Sequence, residues 1–585
     1  MSFNVVGISA FYHDSACCIL KDGVLMAAVQ EERFSRKKND PDLPKAAFLY
    51  CLETAGIGIA DINCIAYYED PVKKMARQLW SGKDQWDRST ALNLSSGNVT
   101  ARILEELGYN GPVKYYDHHH SHAASSFFYS GFEDAAVFTI DGVGEWATTT
   151  YGIGRGQKLD IFEEVIFPDS LGLLYSTITS YLGFSVNSGE YKVMGLAPYG
   201  TPRYVDAVRA LVEQDEKGQY RLNMKYFDFL KGEKMFADTL SDLFGVPPRK
   251  KETEILQIHQ DIAKSLQVVL EEILIAKACY LHEQTGSDNL CMAGGVALNC
   301  VANGKVLKHS PFKNLFVQPA ANDAGCALGA AALAYTELTG LPMKKRLEHV
   351  YLGPSFDDNR IARLLKSTAL KHHSFNNDEG ELLREIARRI GEGKVIGWFH
   401  GRMEFGPRSL GARSILADPR GPEMRDRINA MVKKREAFRP FAPAILSSET
   451  TKHFDLDHES PFMLETCQVI SSLDLPAITH VDGSARVQTV SRDTNPRFAG
   501  LLKAFKDLTG CPILLNTSFN VRDEPIVCTP EEALVCFITT DIDCLVLENY
   551  IIDASDNDTS MLKMINLNLV ERPEFEVNPN VYTFI

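Results

Sequence analysis

The hydrophobic positions of the first thirty residues fall in three short runs, at 5–9, 15–20 and 24–29, separated by polar turns. Runs of this length, bounded by Gly, Asp and Ser, predict three strands, the last two joined as a hairpin at Lys21-Asp22-Gly23. The pattern returns downstream. Val137-Phe138-Thr139-Ile140 predicts a buried strand leading into Asp141, with a hairpin partner at 148–154. Helical patterns are predicted at about 45–55, from 118 onward and at about 255–285. A strand at 290–292 then opens the turn Ala293-Gly294-Gly295-Val296-Ala297-Leu298-Asn299. Hairpins followed by helices, twice over, predict a duplicated α/β half. A second half is predicted to begin near Tyr351-Leu352-Gly353-Pro354-Ser355, with new helices from about 357 and 379.

Length and composition agree with this division. A chain of 585 residues exceeds what one hydrophobic core supports, and 45% hydrophobic with 23% charged residues is ordinary for a globular protein. The net charge of -15 disfavours general binding to nucleic acid or anionic membrane, both of which need basic surface. The 13 cysteines are scattered, with no C-x-x-C, which fits a reducing cytoplasm. No basic, apolar leader precedes the first strand, and no apolar run reaches the length of a membrane helix.

Chemistry is densest at Asp117-His118-His119-His120-Ser121-His122, which opens a helix. His118 and His122 are four residues apart and so share one helix face, where two imidazoles can grip one metal ion. Asp141, ending a strand, and Asp323, in Asn322-Asp323-Ala324-Gly325, are the carboxylate candidates, and a His/His/Asp/Asp set suits Fe, Mn or Zn. Tyr12-His13-Asp14-Ser15 forms a polar turn after the first strand, where α/β folds place ligands. Glu190 and Lys192 lie among glycines in Gly189-Glu190-Tyr191-Lys192-Val193-Met194-Gly195, and Gly294-Gly295 presents backbone N–H groups before a helix; both patterns suit phosphate.

The second half carries a local excess of positive charge. Between 401 and 440 there are ten Lys or Arg against five Asp or Glu, including Arg402, Arg408, Arg413, Lys433, Lys434, Arg435 and Arg439. These are interleaved with Gly, Pro and Phe, which turn and bury chain, so an inward-facing anion pocket is the better reading than a solvated face. Asn516-Thr517-Ser518-Phe519-Asn520-Val521-Arg522 follows another apolar run and adds hydroxyl, amide and guanidinium donors.

Taken in order, these stretches resemble the O-carbamoyltransferases of natural-product biosynthesis, the NodU/CmcH family. The resemblance also includes Glu31-Glu32-Arg33-Phe34-Ser35-Arg36-Lys37 and Lys192-Val193-Met194-Gly195-Leu196-Ala197-Pro198-Tyr199-Gly200, and it runs from near the N-terminus to about Glu532. It implies a Kae1-like domain of the actin/Hsp70 nucleotide-binding fold over 1–352, an α+β YrdC-like domain over 353–565 and a tail over 566–585. In such enzymes the second domain makes carbamoyl adenylate from carbamoyl phosphate and ATP with Mg. The first then moves the carbamoyl group to a hydroxyl of a small-molecule acceptor.

By the same resemblance His118, His122, Asp141 and Asp323 become metal ligands, with Fe(II) expected and Mn or Zn as alternatives. Glu190, Lys192, Gly294, Gly295 and Asn299 fall in the nucleotide region of the first domain. Lys433 or Lys434, Arg435 and the Ser518/Asn520 pair resemble the K-x-R and S-x-N elements of YrdC proteins. His120 stands where leucine is expected. His13, beside Asp14, is the candidate general base for the acceptor hydroxyl. No nucleic-acid or membrane partner is expected, and the protein is expected to be a monomer or homodimer. A tRNA threonylcarbamoyltransferase would need a basic surface, and an actin/Hsp70-type switch would leave the His/His/Asp/Asp set without a purpose.

Overall fold

The computed structural model describes residues 2–81, 96–215, 219–230, 234–343, 346–375, 378–433, 436 and 438–557. These form two compact units, one of residues 1–35 and 39–347, the other beginning at 348 and taking in 36–38. The chain thus leaves the first unit five residues before the expected 352/353 boundary. Leu347 still donates its backbone N–H to Tyr129 in the first unit, whereas the carbonyls of Leu352 and Gly353 bind Arg402 in the second. The expected tail at 566–585 lies outside the described residues.

The first unit contains one topology used twice. Strands β1 (Asn4–Ser9), β2 (Ala16–Lys21), β3 (Val24–Gln30), β4 (Cys64–Tyr67) and β5 (Val113–Tyr115) make a sheet of order β3-β2-β1-β4-β5. Strands β6 (Asp134–Ile140), β7 (Ala147–Arg155), β8 (Lys158–Ile166), β11 (Asn289–Ala293) and β12 (Asn314–Val317) repeat it as β12-β11-β6-β7-β8; between them lies a small hairpin of β9 (Val212–Gln214) and β10 (Tyr220–Leu222). In each sheet the first three strands are antiparallel and the last two run parallel to the first. A helix follows the fifth strand of each repeat: His118–Ser130 after β5 and Asp323–Thr339 after β12.

These two helices pack on each other, and glycine sets how closely. A Cβ on Gly329 would strike the Ser121 carbonyl oxygen, and one on Gly7 would strike that of Ala327, so helix–helix and strand–helix contacts both depend on a missing side chain. Ala123, Ala124, Ser125 and Ser126 keep the histidine helix equally slim, and all four are buried. The small residues therefore bring the N-terminal ends of the two helices to the same place.

The second unit is built on one mixed sheet of eight strands. Its order is His373–Ser374, Tyr550–Asp553, Cys544–Leu547, Ile396–Phe399, Arg413–Ala417, Ile513–Ser518, Ala442–Leu446 and Gln488–Val490. Helices Glu379–Gly391 and Pro496–Thr509 pack together, and Pro530–Thr539 lies on the Cys544–Leu547 strand. The apolar core includes Trp398, Ile415, Leu514 and Phe537. Asp378 and Asn495 cap the first two helices, each with a side-chain oxygen on a backbone N–H of the first turn.

Candidate active site and metal centre

Because α/β sheets place ligands beyond the carboxyl ends of parallel strands, the duplication dictates where chemistry gathers. His13 and Asp14 follow β1, and Asp141 occupies the matching place after β6. His118 and His122 begin the helix after β5, and Asp323 begins the matching helix after β12. Four equivalent corners of two repeats thus meet. His118 Nε2 lies 3.3 Å from Asp141 Oδ2 and 3.6 Å from Asp323 Oδ1; His122 Nε2 lies 3.8 and 3.5 Å from the same two oxygens. His13 Nδ1 is 2.9 Å from Asp14 Oδ2 and 3.9 Å from Asp323 Oδ2.

Several polar atoms of this cluster are buried without ordinary partners. His118, His122, Asp141 and Asp323 are all at most 5% exposed. Among the described residues, neither ring nitrogen of His122 and neither carboxylate oxygen of Asp323 has a hydrogen-bond partner. Buried polar atoms are almost always satisfied, so a knot of orphaned nitrogen and oxygen donors fits a divalent cation. The arrangement is anchored from behind. Asp141 Oδ1 accepts the Gly295 N–H at 2.7 Å, and Gly294, at φ 96°, makes the tight turn that allows it. Glu145, not the preceding Asp117, caps the histidine helix, accepting His118 N–H at 2.9 and 3.1 Å and Asp70 N–H at 2.6 Å.

Charge follows geometry. Burial opposes charge on His122, yet Cys326, Asp141 and Asp323 raise its pKa well above the ordinary histidine range. Burial likewise opposes ionisation of Asp141, but His118 and His122 hold its carboxyl well below the usual range. Asp323 is lowered by His13 and His118 against the same opposition. For His13, burial pulls downward and is outweighed by Asp323 and Asp14, which push it up to about 9. Glu145, desolvated in its capping role, is pushed up to about 7. His119 is buried, burial holds its pKa well below the ordinary histidine range, and its Nδ1 is bonded to Thr139 Oγ1 at 2.6 Å; His120 is half-buried.

The remaining expected residues of the first unit make local contacts. Glu190 accepts hydrogen bonds from Ser176 Oγ at 2.8 Å and from the Asn187 and Gly189 amides at 3.0 and 3.1 Å, which ties the turn to its helix. Lys192 lies over the Phe184 ring, 5.8 Å from its centre. Asn299 caps helix Cys300–His309 and pairs its amide with Gln267.

In the second unit the basic stretches converge on one end of the sheet. Phe399 pairs with Arg413, Ser414 with Ser518 and Ala442 with Asn516, so the loops at 400–413, 438–441 and 518–522 leave from that end. Arg36 joins them, donating to the Pro525 and Ile526 carbonyls at 2.7 Å and meeting Glu532 at 3.1 Å. Ser518 Oγ donates to Asn520 Oδ1 at 2.7 Å. Arg522 meets Asp523 at 3.3 Å, and Arg439 meets Glu436 at 3.7 Å. Lys433 ends a short helical segment, and Lys434 and Arg435 lie outside the described residues.

Two arginines are engaged otherwise than expected. Arg413 is fully buried, with Nη1 on the carbonyls of His400, Gly401 and Ala412 and Nη2 on that of Pro354, all at 3.0–3.1 Å. Its guanidinium also stacks on Phe399, 3.6 Å from the ring centre. Arg402 donates to the carbonyls of Leu352 and Gly353. Both therefore staple loops, Arg413 with every terminal nitrogen committed to backbone.

Against known proteins, the family description Carbamoyltransferase N-terminus matches residues 4–332, and Carbamoyltransferase C-terminus matches 387–554. The chain belongs to the carbamoyltransferase family. It is 46% identical to the uncharacterized protein sll1178 of Synechocystis sp., over 94% of this chain and 96% of that one. Nodulation protein NolNO of Sinorhizobium fredii is 41% identical over 95% of this chain and 82% of its own. A 3'-hydroxymethylcephem-O-carbamoyltransferase of Amycolatopsis lactamdurans is 40% identical over 42% of this chain and 45% of its own.

Three residues of this carbamoyltransferase's sites were not singled out from the sequence. Cys326 lies one helical turn after Asp323, and its thiol groups with His118, His122 and Asp323 as a candidate ligand set, all within 4.8 Å. The i, i+3 spacing from an acidic site residue was the available signal. Burial pushes that thiol up to about 12, so it is held as SH. Glu145 left no signal, because it caps a helix 27 residues earlier in the chain. Glu404, inside the glycine-rich stretch, gathers the Leu410, Ala412 and Arg413 amides on Oε1 at 2.7, 2.7 and 3.2 Å and so shapes the loop that carries Arg408.

Proposed function

We propose that this enzyme is an ATP-dependent O-carbamoyltransferase that works in two steps, with a divalent metal in the first unit. The second unit, read as YrdC-like, converts carbamoyl phosphate and MgATP to carbamoyl adenylate. The first, read as a Kae1-like member of the actin/Hsp70 fold, transfers the carbamoyl group to a hydroxyl of a small-molecule natural product. The observation that carries this reading is the meeting of His118, His122, Asp141 and Asp323 from matching corners of a duplicated fold, with His13 at the edge. The doubled sheet supports the fold assignment.

His118, His122, Asp141 and Asp323 would hold the ion, and the mixed nitrogen and oxygen set suits Fe(II). When bound, it supplies Lewis-acid polarisation of a carbonyl or phosphoryl oxygen. The protein's own residues do the rest. His13 takes the proton of the acceptor hydroxyl as its oxygen bonds the carbamoyl carbon, while AMP leaves. Asp14, bonded to Nδ1, fixes the tautomer so that Nε2 receives the proton. A cation held by Asp323 and Asp141 would offset part of the negative charge that raises the His13 pKa, and Asp14 would continue to raise it. Arg408 and the Ser518/Asn520 pair bind anions in the second unit.

The test is ATP–pyrophosphate exchange that requires carbamoyl phosphate, followed by carbamoylation of a panel of hydroxylated compounds. Exchange with subsequent O-carbamoylation is expected. Carbamoylation without any dependence on ATP would overturn the adenylate route.

A further inference from the structure

The second unit holds a histidine–carboxylate pair that belongs to none of the motifs above. His400 follows strand Ile396–Phe399, and Glu548 follows strand Cys544–Leu547; the two strands are adjacent and parallel, with Phe399 opposite Leu547. His400 Nδ1 lies 2.6 Å from Glu548 Oε2. Glu548 Oε1 accepts the Gly401 N–H at 2.6 Å, and Arg497 Nη1 donates to Oε2 at 3.2 Å. Arg497 is held in turn by Asn549 Oδ1 at 3.1 Å and Glu379 at 3.4 Å.

Arg497 Nη1 also lies 3.3 Å from His400 Nδ1, and the shorter contact to Glu548, at 2.6 Å, is the one that favours hydrogen on Nδ1. A carboxylate with these donors around it accepts only, and burial of Glu548 is outweighed by His400 and Arg497, which keep its carboxyl below the usual range. With hydrogen on Nδ1 toward Glu548, Nε2 is the ring nitrogen left to act as a base. Among the described residues Nε2 makes no hydrogen bond, and the side chain keeps 24% of its surface exposed. This is the arrangement of an oriented general base.

Backbone strain marks the same spot. The hairpin joining Cys544–Leu547 to Tyr550–Asp553 turns through Glu548 and Asn549, with Leu547 opposite Tyr550. Glu548 has φ 47° at a turn position where glycine is the unstrained choice. A side chain there is strained, and such positions persist where the side chain is used. The pair also stands at the sheet end where the arginine loops converge: His400 is one strand from Arg413 and two from Ser518, at about 5 Å per strand.

We propose that His400, oriented by Glu548 and Arg497, is the general base that activates water against carbamoyl phosphate. This rests on the adenylate reading above. That reaction needs an oxygen nucleophile that can displace pyrophosphate, and carbamoyl phosphate becomes one on losing phosphate. The water oxygen bonds the carbamoyl carbon, the carbon–oxygen bond to phosphate breaks, and inorganic phosphate leaves. One proton of the water passes to His400 Nε2, and the other is lost as the carbamic acid ionises. The carbamate oxygen then attacks the α-phosphorus of ATP, and pyrophosphate leaves.

The experiment uses the full chain and its His400→Gln and Glu548→Gln variants, with ATP–pyrophosphate exchange driven either by carbamoyl phosphate or by ammonium carbamate. With carbamoyl phosphate, His400→Gln should lose about 10²- to 10⁴-fold, the usual contribution of a positioned base. With carbamate, which bypasses the water step, it should match the wild type. Glu548→Gln should show the same split with a smaller loss. Equal loss with both donors in both variants would overturn the proposal, as would no loss in His400→Gln, or a wild type that uses carbamoyl phosphate but not carbamate. A wild type without carbamoyl phosphate-dependent exchange would instead overturn the adenylate reading on which it rests.

Discussion

The two units put charged side chains to opposite uses. At the end of the duplicated sheets, His118, His122, Asp141 and Asp323 face one another with polar atoms orphaned, and backbone contacts hold them only from behind. At the end of the eight-stranded sheet, Arg413 faces the backbone itself, and its guanidinium replaces the hydrogen bonds that a sharply turning loop cannot make internally. The difference teaches how to weigh a charged residue in a glycine-rich stretch. Glycine lets the chain turn, turning strands carbonyls in the interior, and a buried arginine is the residue with enough donors to satisfy them.

The largest effect expected from breaking the contrast is at the metal centre. His118→Ala combined with His122→Ala removes two of four ligands, and metal per chain should fall from about one to near zero with the fold retained. Because loss of a mere supporting partner costs about 10- to 100-fold in affinity, loss of two ligands should exceed that. Elemental analysis after dialysis decides it, and unchanged metal content would sink the assignment. Next comes Arg413→Ala, which strands four carbonyls and should destabilise the second unit by about 3–5 kcal/mol. Denaturant melting reads this. A variant that melts normally and loses only adenylate formation would return Arg413 to ligand duty.

A smaller effect sharpens the same comparison inside the first unit. Lys277 is fully buried on helix Gln257–Thr285, with Nζ over the rings of Tyr151 and Tyr220 at 4.6 and 5.0 Å. Burial lowers its pKa to about 7, partly offset by Glu163 and Asp215. Between pH 7 and about 10.5 the unfolded chain carries a proton that the folded one does not, so stability should rise with pH across that window and level off below it. Lys277→Met should remove the slope and gain on the order of 2–4 kcal/mol at pH 7. Thermal melting at pH 7 and pH 10 measures it; an identical slope in the variant would show that Lys277 is charged in the fold.

Much of the fold was legible because it rests on local pattern. The helix at 45–55 appears as Lys45–Ala55, the strand at 290–292 as Asn289–Ala293 and the long helix as Gln257–Thr285. His118 and His122 were legible from spacing, and Asp141 from its place after a buried strand. What escaped was long-range. The sequence holds no sign that Glu145 would cap the histidine helix, that Arg36 would bond to Pro525 and Ile526, or that Glu548 would orient His400 across 148 residues. Charge counts register excess but not commitment: only the folded loop shows that the terminal nitrogens of Arg413 bind backbone carbonyls, while its Nε is buried without a partner among the described residues. Among the described residues no helix is long and apolar enough to cross a membrane, and no disulfide links the described cysteines.

The central claim is that the two units perform separate steps joined by carbamoyl adenylate. Arg408→Ala tests it most directly, because in the proposed scheme the variant removes one charge-assisted anion contact worth about 1.5–3 kcal/mol, or roughly ten- to a hundredfold. Carbamoyl adenylate is supplied to the folded variant together with a hydroxylated acceptor. The account predicts that carbamoyl phosphate-dependent ATP–pyrophosphate exchange falls by that factor while transfer from supplied adenylate stays at the wild-type rate. Loss of transfer from supplied adenylate in the folded variant would contradict it.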